Sequence, residues 1–96
     1  IVTQPASIFS QVKVMGQVLH PQSLPFRQGM TVLDAVLAVG GVAQFAAPNR
    51  SKLLRTENDR QTELRIKLGN LLNGGDLKQN IPLRPGDVLV IPESRF

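Results

Sequence analysis

From Leu83 to Pro92 the chain reads LRPGDVLVIP, and this stretch does most to restrict the folds open to it. Pro85 suits the first central position of a β-turn and Gly86 the second, where a positive φ is needed. RPGD is therefore expected to form a type II turn, with Asp87 as its turn residue. Val88, Leu89, Val90 and Ile91 do not alternate with polar residues, which predicts a strand covered on both faces and so central in its sheet. Pro92 lacks the N–H that a ladder needs and ends the run. Ninety-six residues hold one hydrophobic core, so this late strand has to insert among strands made earlier in the chain.

The earlier strands can be read from the residue pattern. In QVKVMGQV, Val12, Val14 and Gly16 share one face while Lys13 and Met15 share the other, the alternation of a half-buried strand. Gly16 marks a bulge or a close backbone contact. LHPQSLPFRQGM carries two prolines and Gly29, which predicts a reversal and a short returning strand near Leu24 to Arg27. TVLDAVLAVGG follows as the main helix. Thr31 serves as N-cap with Asp34 three residues on, a capping box with Asp in place of Glu, and Gly40 and Gly41 end it. Leu33, Val36, Leu37 and Val39 make the helix apolar over most of its circumference, which predicts burial against a sheet.

RSKLLRTENDRQTELRIKL reads as a second hairpin turning at Asn58 and Asp59. In its second arm Leu64, Ile66 and Leu68 face the core while Glu63, Arg65 and Lys67 face water. GNLLNGGDL is expected to form a single helical turn and a loop. The order is then hairpin, helix, hairpin, helical turn and central strand: an α+β chain, a mixed sheet of about five strands with one main helix across it. This is the β-grasp arrangement, and its open face and free edges are surfaces for binding and assembly. Residues 1–10 are expected to be a leading segment, either an edge strand or a linker, and residues 11–96 the folded domain. Because the chain starts at Ile1 with no initiator methionine or leader, it is read as a processed product or an excised domain.

Several kinds of chemistry are excluded or disfavoured. The chain has no cysteine, which removes disulfides, thiolate catalysis and thiolate metal sites together. The lone histidine, His20, precedes Pro21 in a turn and has no carboxylate close in sequence, so a surface role outweighs a catalytic or metal-binding one. Asp34 and Asp87 are better explained as cap and turn residues than as an acid–base pair. No catalytic residue, metal or cofactor is assigned. The net charge of +4 favours anionic partners, and six of the eleven cations lie between Arg50 and Lys67. That basic hairpin has no aromatic residue within it for base stacking, which argues against nucleic acid. A solvated face with Glu63 pairing inside the hairpin is the plainer alternative.

The motifs VKVMGQV (Val12 to Val18), GMTVLDA (Gly29 to Ala35), Gly40–Gly41 and PGDVLVIP (Pro85 to Pro92) together resemble the SLBB, or soluble-ligand-binding β-grasp, domain of outer-membrane polysaccharide export proteins. Two further family signatures, GEV and HPG, are altered here to Gly16-Gln17-Val18 and His20-Pro21-Gln22. The resemblance implies a non-catalytic module of a capsular or exopolysaccharide export channel at the periplasmic face of the outer membrane. It implies a longer parent that carries an N-terminal export domain, assembles as a homo-oligomeric ring and works with an inner-membrane copolymerase.

Within that frame Arg50, Lys52, Arg55, Arg65 and Lys67 are candidate contacts for an acidic polysaccharide, held weakly, or for a neighbouring subunit. Guanidinium groups grip carboxylates through two hydrogen bonds, as a uronic acid would require. Phe45 is a further candidate, folded over the core or seated against the next subunit. The competing reading is a β-grasp module for a small soluble ligand. Carrier chemistry that uses a C-terminal Gly-Gly is unsupported, because the chain ends SRF.

Overall fold

The computed structural model describes residues 11–94. The leading segment 1–10 and the last two residues of the tail, Arg95 and Phe96, lie outside the described residues. Five strands, β1 (Gln11–Gly16), β2 (Gln22–Pro25), β3 (Ser51–Glu57), β4 (Arg60–Ile66) and β5 (Val88–Ile91), form one sheet in the order β2-β1-β5-β3-β4. β1 and β5 run parallel and the other neighbours antiparallel. Two short helices, α1 (Val32–Ala38) and α2 (Leu68–Gly74), complete an α+β fold of β-grasp type.

The core lies between one sheet face and the helices. Val12 and Val14 of β1, Leu53 of β3, Ile66 of β4, and Leu89 and Ile91 of β5 are fully or almost fully buried. They pack in one cluster with Val32, Ala35, Val36, Val39, Leu68 and Leu71 from α1, α2 and the residues beside them. Burying each large aliphatic side chain stabilises the fold by roughly 1.5–3 kcal/mol.

Local chemistry fixes the element ends. Thr31 Oγ1 accepts the Asp34 amide at 3.4 Å while Asp34 Oδ2 accepts the Thr31 amide at 3.0 Å, closing both halves of the capping box. Gly16 has φ 96°, and a Cβ there would stand 2.2 Å from the Ile91 carbonyl oxygen. Only glycine lets β5 come this close while the Gln17 amide donates to that same oxygen at 2.8 Å. At the RPGD turn, Gly86 takes φ 88° and the Asp87 amide donates to the Arg84 carbonyl at 3.1 Å.

The structure departs from the sequence reading at four points. β5 is central, but only Leu89 and Ile91 are buried; Val88 and Val90 are half-buried on the open face. Their apolar character matches in-plane neighbours: Val88 pairs with Leu54 and Val90 with Met15. α1 buries Val32, Ala35 and Val36 but leaves Leu37 63% exposed, since a helix lying on one sheet face can cover only one side. β4 stops at Ile66, so Leu68 starts α2 rather than continuing the hairpin arm, and α2 makes nearly two turns rather than one because Leu68 and Leu71 share its core side; Gly75, at φ 67°, then stops it. β2 begins and ends two residues earlier than expected, its register set by Leu24 opposite Val12 and Gln22 opposite Val14.

Candidate functional site

The basic hairpin divides by strand parity. Lys52 on β3 stands directly opposite Arg65 on β4, both on the open face of the sheet. Arg50 ends the 3₁₀ turn Pro48–Arg50 that leads into β3. Arg50, Lys52 and Arg65 line one cleft of about 270 Å³ together with Asn49 and Ser51. Lys67 is exposed at the start of α2, beyond the lining of this cleft. Glu63 reaches Lys52 at 3.5 Å across the hairpin, with both side chains about half exposed.

Arg55 has to be removed from the contact set. It is three residues from Lys52, an odd offset, so the pleat turns it to the opposite face. There it is 9% exposed, between Asp87 and the Pro82 carbonyl. Its Nε donates to Asp87 Oδ1 at 3.1 Å, and its Nη2 donates to Asp87 Oδ2 at 2.9 Å and to the Pro82 oxygen at 3.0 Å. Asp87 is 1% exposed and also accepts the Arg84 amide at 2.8 Å. It is thus both the turn residue and one half of a bidentate buried pair that ties β3 to the start of β5. Removing one partner of such a pair leaves a buried charge uncompensated, at a cost of about 3–5 kcal/mol. The signal was present in the sequence: Ser51, Leu53 and Arg55 share one parity.

A broader groove adjoins the basic cleft. It encloses about 700 Å³ and is lined by Ala47–Arg50 on one side and by Gly69, Asn70, Asn73, Gly74 and Asp76 on the other. Asn49 and Arg50 border both hollows, so the two lie side by side. Asn49 is locked to α2: its Oδ1 accepts the Asn70 amide at 3.0 Å and its Nδ2 donates to Asn70 Oδ1 at 3.3 Å. A Cβ on Gly69 would press to 2.8 Å from that Oδ1, so glycine allows the latch. Sequence reasoning passed over Asn49, Asn70 and Asn73; the density of asparagine in GNLLNGGD was the available cue. The combined surface offers amide donors and acceptors beside guanidinium and ammonium groups, with no aromatic wall. Such a lining can hydrogen-bond hydroxyls and pair with carboxylates.

Phe45 is 65% exposed, with φ 69°. A non-glycine residue in this region is uncommon and is maintained by its surroundings. Here the Phe45 carbonyl accepts the Ser94 amide at 2.7 Å, and the Ala47 amide donates to the Pro92 carbonyl at 2.8 Å. The aromatic ring is therefore carried on a backbone tied to the end of β5. Among the described residues, no three His, Asp or Glu side chains come together as a metal site, and His20 lies exposed in its loop.

Comparison with known families agrees with this architecture over most of the chain: a family model described as SLBB domain matches residues 10–91.

Proposed function

The chain belongs to the SLBB domain family, and on that premise we propose that it is a non-catalytic module of a capsular or exopolysaccharide export channel. Binding is the general role of the family. In this reading the domain works at the periplasmic face of the outer membrane and contributes to subunit assembly. It makes weak contact with an acidic polysaccharide, and its longer parent meets an inner-membrane copolymerase.

The observation that carries the reading is the convergence of Arg50, Lys52 and Arg65 on one cleft beside an amide-lined groove. Among the described residues, only Lys52 of these three cations makes an ion pair. An acidic sugar residue would meet two unengaged guanidinium groups. A shallow polar surface without stacking rings holds such a chain loosely, which suits a polymer in transit, and the exposed charges make the contact sensitive to salt. The exposed Phe45 supports a contact with a neighbouring subunit.

Titration of the labelled domain with polygalacturonate oligomers, followed by amide chemical shifts at low and moderate salt, tests this. Shifts clustered at Arg50, Lys52, Arg65, Asn70 and Asn73, absent with neutral dextran oligomers and fading with salt, are expected. No response to the acidic oligomers, or an equal response to neutral ones, would sink the polysaccharide contact. One specific observation favours the small-ligand reading. A hollow of about 540 Å³ lies between β2 and α1, lined by Leu24, Pro25, Met30 and Ala38 with Arg27 and Asp34. Shifts confined to those residues on addition of a soluble metabolite mixture would favour it.

A further inference from the structure

The two edges of the sheet are unlike. β2 has four residues, with Pro21 just before it and Pro25 at its end, and proline cannot donate to an added strand. β4 has seven residues with neither proline nor glycine, and among the described residues no strand lies on its outer side.

The register shows which backbone groups that edge presents. Asn58 and Asp59, at φ 51° and 65°, form a two-residue turn of type I′, so Glu57 and Arg60 exchange both hydrogen bonds. Bonded pairs then recur at every second position, with 55 opposite 62, 53 opposite 64 and 51 opposite 66. The N–H and C=O groups of Gln61, Glu63 and Arg65 therefore point away from β3. Lys67 would be next in this series, but its amide already donates to Gln79 Oε1 at 3.0 Å.

We propose that this edge pairs antiparallel with β4 of a second copy of the chain, with Glu63 opposite Arg65 and the two Leu64 residues facing each other at the two-fold axis. Only outward-pointing residues can form the bonded pairs, which leaves few registers. Placing Glu63 opposite Glu63, or Arg65 opposite Arg65, sets like charges together. Placing Glu63 opposite Gln61 pairs no charges within β4. Within β4 itself, the proposed register alone forms two opposite-charge pairs across the new ladder, and it also apposes Leu64 with Leu64 and Thr62 with Ile66 on the core side. The monomer has a use for the incoming carboxylate. Arg65 sits directly across from Lys52, and like charges so placed repel. Among the described residues Arg65 makes no ion pair.

Such a contact closes on two copies, so it is separate from any contact that closes a ring. It stands whether or not the domain touches polysaccharide. Its short ladder places it at the small end of interface sizes, so the dimer is weak and concentration dependent.

Sedimentation equilibrium over a wide concentration range, in low salt and without polysaccharide, tests it. The parent domain should move from the mass of one copy towards that of two. Glu63→Arg and Arg65→Glu should each weaken association at least ~10-fold, since each sets like charges across the ladder. Mixing these two variants in equal amounts should restore it, because each then supplies the charges that the other needs. A parent that stays monomeric, single variants that associate as well as the parent, or a mixture that stays monomeric would each overturn the proposal. Leu64→Cys gives an independent reading in a chain with no native cysteine. Residues facing each other at a non-hydrogen-bonded position lie roughly 4.5 Å apart at Cα, within disulfide reach. Mild oxidation should cross-link Leu64→Cys at least ~10-fold faster than Gln61→Cys; equal rates would refute the register.

Discussion

Arg55 and Arg65 lie on adjacent strands of one hairpin and carry the same guanidinium group, yet they do opposite work. Arg55 is buried, bidentate to Asp87, and holds β3 to the turn that launches β5. Arg65 is exposed, faces Lys52 across the ladder and, among the described residues, has no acidic partner. The pleat decides between them: one parity of the hairpin delivers side chains to the core and the other to solvent. A count of cations along the chain merges a buried structural arginine with exposed ones.

Substitutions can break or sharpen this contrast. Arg55→Ala should have the largest effect, lowering unfolding stability by about 3–5 kcal/mol in urea titration, because Asp87 remains buried and charged. A loss below about 1 kcal/mol would mean that the pair does not hold the two strands together. Replacing both partners in Arg55→Met/Asp87→Leu should restore most of that loss, leaving a deficit of roughly 1 kcal/mol for the turn hydrogen bond to the Arg84 amide. A double variant no more stable than Arg55→Ala would show that the charges themselves are needed.

On the wet side the effects should be small. Arg65→Gln, measured in dilute solution, should stabilise the domain by about 0.2–1 kcal/mol by removing the like charge opposite Lys52. It should also weaken the response to polygalacturonate; destabilisation would place Arg65 among the structural residues. Smallest of all, Glu63→Gln should cost under about 1 kcal/mol at low salt and nothing measurable in high salt, as an exposed ion pair does. A cost that persists in high salt would break the contrast from the other direction.

Much of the fold was legible because it rests on local signals. The alternation in QVKV, the Thr31–Asp34 box and the turns at Asn58–Asp59 and Pro85–Gly86 each constrain a few adjacent residues. Their order alone leads to the mixed five-stranded sheet. What could not be read locally depends on pairing at a distance. The apolar run of β5 suggested cover on both faces, whereas Val88 and Val90 lie beside Leu54 and Met15 on an open face. Asp87 looked complete as a turn residue, and its bond to Arg55 needs β3 brought alongside. Of the candidate surface, Arg50, Lys52 and Arg65 do converge, but the asparagine groove beside them exists only because α2 packs against the Pro48–Arg50 turn.

The parallel pairing of β1 with β5 bears on how the molecule comes into being. Lys13 is partnered by Val88, so the centre of the sheet joins segments from opposite ends of the described chain. The two hairpins need only local encounters and can form early, but neither completes its inner ladder until β5 arrives between them. Long loops of this kind slow folding. During synthesis from the N-terminus, the chain therefore passes through a stage with β1 and β3 each presenting an edge of unpaired backbone N–H and C=O groups. That stage is when a chaperone would have most to hold and when aggregation has its best opening.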